Sequence, residues 1–106
     1  MPQALISVPK TAKRGDVLEI KTLIQHPMET GYRPGADGRP LPRDIITMFT
    51  CTYGDAEVFR AEFFPAMSAN PFLTFTTVAT ESGKLVFHWK GDNGFEQTET
   101  VAITVT

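Results

Sequence analysis

The chain has 106 residues, with ten Lys and Arg against twelve Asp and Glu and a formal charge of −2 at pH 7. That near balance, with 42% hydrophobic and 21% charged residues, gives no basic face for nucleic acid or an anionic membrane as the main partner. No apolar run approaches the roughly 18 residues that span a bilayer, and the opening MPQALISVPK lacks the basic-then-apolar layout of a signal peptide. These features taken alone predict a cytoplasmic protein, a single domain over residues 1–106, with a core that needs neither disulfide nor metal. The single cysteine, Cys51, excludes an internal disulfide.

Period-two alternation recurs along the chain and no segment carries a helical stripe, which predicts an all-β fold. Ala4 to Val8 reads as an opening edge strand. From Val17 to Ile24, Leu18, Ile20 and Ile24 share one face while Glu19 and Lys21 take the other, as in a strand with one buried side. Ile46 to Tyr53 puts Phe49, Cys51 and Tyr53 together, and the turn Tyr53-Gly54-Asp55 leads into Glu57 to Phe63, predicting a hairpin. Phe72 to Val78 is a β-branched and aromatic run closed by Glu81-Ser82-Gly83. Lys84 to Lys90 alternates with Leu85, Phe87 and Trp89 inward. Gly91-Asp92-Asn93-Gly94 is the strongest hairpin turn, feeding a last strand with Val101, Ile103 and Val105 on one face. About seven strands separated by turn signals predict an immunoglobulin-like antiparallel β-sandwich, with Cys51, Phe87 and Trp89 in its core.

The longest interruption is His26 to Asp44, HPMETGYRPGADGRPLPRD, with four prolines, three glycines and three arginines. Stiffening prolines alternating with permissive glycines predict a shaped loop, and loops of this length are functional or disordered. Its His26, Met28, Tyr32, Arg33, Arg39 and Arg43 are candidate partner-facing residues. A second proline-bounded connection, Phe64 to Phe72, adds Met67 and Asn70.

Chemistry is thinly provided. Cys51 can be a nucleophile, a metal ligand or half of an intermolecular disulfide, but its strand face, shared with Phe49 and Tyr53, favours an inert buried thiol. His26, Met28, Cys51 and His88 are ligand types of a blue-copper site, yet they lack the close Cys, His and Met spacing such sites show near the C-terminus. Ser7, Ser68 and Ser82 lie in no nucleophile-elbow context, and Asp92, Glu96 and Glu99 read as solvated hairpin edges. No Gly-rich phosphate cradle precedes a helix. No metal or cofactor is expected, and the informative parts are surfaces. A general sandwich module for peptide or carbohydrate stays open as an alternative, although the aromatics alternate mostly inward, which leaves it without an exposed platform.

Several unusual blocks stand in one order: IKTLIQHPMETGYR (Ile20 to Arg33), DGRPLPRDII (Asp37 to Ile46), FTCTY (Phe49 to Tyr53) and FPAMSANPFLTFTTVATESG (Phe64 to Gly83). Together with the F-x-W strand (Phe87 to Trp89), the D-N-G turn and the alternating tail, they resemble the SoxZ family of the bacterial thiosulfate-oxidising Sox system across essentially the whole chain. The resemblance implies a non-enzymatic subunit in a heterodimer with SoxY, whose C-terminal arm carries sulfur intermediates on the cysteine of a Gly-Gly-Cys-Gly-Gly-like motif. It also implies transient contact with the cytochrome-type enzyme that loads the arm, the sulfate-releasing hydrolase and the sulfane dehydrogenase. It places the chain in the periplasm, co-exported with SoxY, against the cytoplasmic expectation above.

Overall fold

A computed structural model describes residues 4–106 and bears out the all-β sandwich. Its strands are β1 (Ala4–Ser7), β2 (Thr11–Ala12), β3 (Val17–Ile24), β4 (Ile46–Tyr53), β5 (Ala56–Glu62), β6 (Phe72–Val78), β7 (Gly83–Gly91) and β8 (Glu96–Val105). One sheet is ordered β1-β3-β6 and the other β2-β8-β7-β4-β5. All pairings are antiparallel except β2 with β8, a two-residue parallel contact that the sequence pattern did not reveal. It is too short for any periodicity to register.

Alternation dictates the packing. On β3, Leu18, Ile20 and Ile24 are buried while Glu19 and Lys21 are exposed. The facing sheet contributes Phe49, Cys51 and Tyr53 from β4 and Leu85, Phe87 and Trp89 from β7. Register sets Phe49 opposite Trp89 and Cys51 opposite Phe87, and aromatic rings continue the core, with Phe49 5.0 Å from Trp89 and Phe59 stacked 4.2 Å from Phe75. Apolar area removed from water on this scale is the main stabilising term.

The β4–β5 hairpin forms as expected, but its register slips between Cys51 and Thr52. A bulge breaks the strict alternation there, so Val58, expected to face outward, is half-buried beside Phe59. The β7–β8 connection is a short 3₁₀ turn, Asp92–Gly94, in which Asn93 and Gly94 take the positive φ values of 60° and 76° that their residue types tolerate. Gly91 is fixed by proximity instead. A Cβ there would stand 2.5 Å from the Ile45 carbonyl oxygen and 2.9 Å from Ile46 Cα.

Candidate functional site

Beyond Ile24 the even-numbered side chains continue inward: Leu18, Ile20, Thr22, Ile24, His26 and Met28 are all buried. The chain thus covers the end of the sandwich before it turns away. His26 is held on every side. Its backbone N–H donates to Asn70 Oδ1 at 2.9 Å, and its carbonyl accepts from Asn70 N–H at 2.8 Å. Its Nδ1 accepts the Met28 N–H at 3.0 Å, and its ring meets Phe95 edge-on at 4.8 Å. With the Nδ1 lone pair engaged, the proton of the neutral ring lies on Nε2, 3.7 Å from Asp44 Oδ1. Burial lowers the His26 pKa, opposed in part by the charges of Asp44 and Asp92. This is a structural histidine, with no free lone pair for a metal or a proton.

Met28 has φ 52°, which swings its sulfur beneath β4, where Sδ accepts the Ile46 N–H at 3.3 Å. The chain then leaves as a narrow ribbon. Glu29 and Asp44 exchange backbone hydrogen bonds of 2.8 Å, Leu41 N–H donates to the Arg33 carbonyl at 2.8 Å, and Gly35 N–H to the Arg39 carbonyl at 2.6 Å. Pro34 and Pro40 face each other across it. The molecule is 59 Å long and 20 Å across. A ten-residue strand spans about 34 Å, and the ribbon, leaving the end of β3 and returning at the start of β4, supplies length beyond the sheets.

The ribbon's base is pinned a second time. Arg43 donates from Nε and a terminal nitrogen to the two oxygens of Asp92 at 2.8 and 2.9 Å. Asp92 Oδ2 also accepts the Ile45 N–H at 3.2 Å, and Asn93 Nδ2 donates to the Arg43 carbonyl at 3.2 Å. A two-toothed guanidinium–carboxylate contact of this kind fixes direction as well as charge. Hydrogen bonding from Arg43 holds the Asp92 carboxyl below its ordinary value. Asp92 is therefore a clamp between ribbon and hairpin, which corrects its reading as a solvated turn edge.

The candidate partner-facing residues divide accordingly. His26 and Met28 are 4% exposed and cannot present a surface, because the inward parity of β3 runs on through them. Met67 packs half-buried against the core, and Asn70, though exposed, spends its side-chain oxygen on His26. Arg33 is neutralised by Glu29 at 2.6 Å and Arg43 by Asp92. Tyr32, 79% exposed, and Arg39, which makes no ion pair among the described residues, are the free side chains of the ribbon. Beside its base lies a cleft of about 500 Å³ lined by Gln25, His26, Pro27, Asp44, Ala69, Asn70 and Phe95. The residues that build this site but were absent from the candidates, Glu29, Asp44, Asp92 and Phe95, are local or cross-hairpin partners. The one sequence signal for them was the Glu29 to Arg33 spacing.

Chemistry is correspondingly sparse. Cys51 is fully buried and its thiol is pushed up to about 12 by desolvation, so it is held as the unreactive thiol. His88 stands apart from it, half-exposed and 3.4 Å from Glu96. Among the described residues no group of three His, Cys, Asp or Glu side chains is placed to hold a metal ion.

A protein-family model described as sulphur oxidation protein SoxZ matches residues 6–102. No curated protein matches the chain. Among solved structures, a superoxide reductase (neelaredoxin) from Ignicoccus hospitalis is similar with a TM-score of 0.72 at 16% identity, covering 97% of this chain and 80% of that one. The neelaredoxin of Archaeoglobus fulgidus follows at a TM-score of 0.57 and 18% identity, over 95% and 86%. A CARDB domain from Pyrococcus furiosus, solved with di-metal ions, has a TM-score of 0.57 at 13% identity, over 99% and 92%. At these identities the likeness is one of fold.

Proposed function

The chain belongs to the SoxZ family of sulphur oxidation proteins, and from that premise we propose that it is the non-catalytic scaffold of a sulfur carrier. In this reading it binds a SoxY-type subunit, whose C-terminal cysteine carries the covalent sulfur intermediates of thiosulfate oxidation. The complex is periplasmic, the chain travelling with its exported partner, and the enzymes that load, hydrolyse and oxidise the carried sulfur meet it transiently.

The family match over residues 6–102 is the observation that carries this proposal. The physical features support it. A swinging arm needs a rigid base, and two sheets closed over an aromatic core, with a ribbon clamped at His26 and Asp92, provide one. Cys51, sealed in that core, is unsuited to carry sulfur itself. At the ribbon, Tyr32 and Arg39 offer an aromatic face and an uncompensated guanidinium, the groups that meet a partner or the oxygens of an oxidised sulfur anion.

The test is calorimetric titration of this chain with a SoxY-type subunit, for wild type and for Tyr32→Ala/Arg39→Ala. Saturable one-to-one binding supports the scaffold role. Weakening by the double variant without loss of stability supports the ribbon's part in it, and absence of binding by the wild type rejects the proposal.

A further inference from the structure

The sheet edges differ in how they are protected. An unpaired edge is a template for another strand, and proteins blunt it with charge, bulges or brevity. β5 carries Glu57, Arg60 and Glu62 and faces a bulge. β1 has four residues, and β2 has two, close to Lys10, Lys13 and Arg14. β6 has none of these devices: its seven residues, FLTFTTV, contain no charge, glycine or proline.

Its backbone is also poised. β6 pairs with β3 on one side, and the bonds Ile24 N–H to Pro71 carbonyl and Ala79 N–H to Asp16 carbonyl mark the odd-numbered residues as facing β3. Alternation then turns the N–H and C=O groups of Phe72, Thr74, Thr76 and Val78 to the open edge. Those same four side chains lie on the outer, exposed face of the sheet.

We infer that β6 pairs antiparallel with β6 of a second copy of this chain, about a two-fold axis at Phe75. In that register Phe72 opposes Val78 and Thr74 opposes Thr76. Aromatic with β-branched and Thr with Thr are favourable cross-strand pairs, and every outward backbone group of the strand is used, forming about eight hydrogen bonds. No like charges meet.

The outer face supports the same register. Within one chain Leu5 stands opposite Leu23 and Leu23 opposite Phe72, while Val17 stands opposite Val78. Self-pairing joins these into two symmetric rows, Leu5-Leu23-Phe72 of one copy running on into Val78-Val17 of the other. Four of the six exposed large apolar residues among those described, Leu5, Val17, Phe72 and Val78, fall in these rows. A seven-residue edge buries less than the ~800 Å² per partner of a standard stable interface, so the pairing is concentration-dependent. It stands independently of the sulfur-carrier reading.

The experiment combines sedimentation of the isolated 11.7 kDa chain, from micromolar to millimolar concentration, with residue-resolved amide exchange. The expected result is a shift to twice that mass, with the amides of Phe72, Thr74, Thr76 and Val78 slowing as the dimer fills. Thr76→Lys, an exposed change that places charge on the edge, should weaken dimerisation at least about tenfold and leave the thermal midpoint nearly unchanged. Thr76→Val should retain the dimer, which separates lost pairing from damaged folding. A chain that stays monomeric at millimolar concentration overturns the inference, as does a dimer in which those four amides exchange freely. Protection of the four amides only when a SoxY-type subunit is added also overturns it, assigning the edge to a different strand.

Discussion

Asn70 offers the sharpest test of how the ribbon is held. It sits at φ 54°, and its side-chain oxygen and backbone N–H both bond to the backbone of buried His26. Asn70→Ala places a Cβ residue in a left-handed conformation at about 1–2 kcal/mol, and leaves the His26 N–H unsatisfied at about 1–3 kcal/mol. Asn itself bears part of the first cost and water reaches part of the second, so the expected loss is about 2–3 kcal/mol. Asn70→Gly adopts the conformation freely and loses only the acceptor, so it should be milder by about 1 kcal/mol. Asn70→Asp keeps both acceptor and conformational tolerance and should stay within about 0.5 kcal/mol of wild type. Urea unfolding resolves the series: at a slope of about 2 kcal/mol/M, Asn70→Ala moves the midpoint down by about 1 M. Equal losses for Ala and Gly would refute the conformational part, and an Ala variant as stable as wild type would refute the anchor altogether.

Trp89 is 1% exposed between Phe49 and its sheet neighbours, so Trp89→Ala should cost about 3–5 kcal/mol; an unchanged thermal midpoint would contradict its place in the core. Gly91→Ala drives a Cβ into the backbone of Ile45 and Ile46, and a loss of about 1–3 kcal/mol in urea unfolding is expected. The lowered pKa of buried His26 means that the unfolded chain takes up its proton first, so this contribution to stability is complete above about pH 6.5. It is lost as pH falls through the lower folded value, and His26→Asn, which keeps an acceptor for the Met28 N–H, should flatten the slope of stability between pH 7 and 5. An unchanged slope would show that His26 does not titrate differently in the fold.

Strands with one wet face were legible because burial and side-chain alternation share a period of two: β3, β4 and β6 begin and end where the pattern does. The bulge between Cys51 and Thr52 was not, since a register slip changes pairing without leaving a compositional mark. The ribbon was recognised as a shaped loop, but its polar look concealed two core residues. The alternation of β3 continues through Pro27 to His26 and Met28, and following that parity past the strand's end would have placed both inside. The clamp between Arg43 and Asp92 joins residues 49 apart and depends on where the β7–β8 turn lands against the ribbon. No local pattern encodes that distance.

The central claim is that this chain holds the carrier while another chain carries the sulfur. It is tested most directly by intact-mass spectrometry of both subunits during thiosulfate-dependent turnover in a reconstituted Sox system. Sulfur adducts are expected on the SoxY-type partner alone, with this chain at its unmodified mass and Cys51, fully buried and held as thiol by desolvation, untouched. An adduct on Cys51 that forms and decays with turnover would contradict the account.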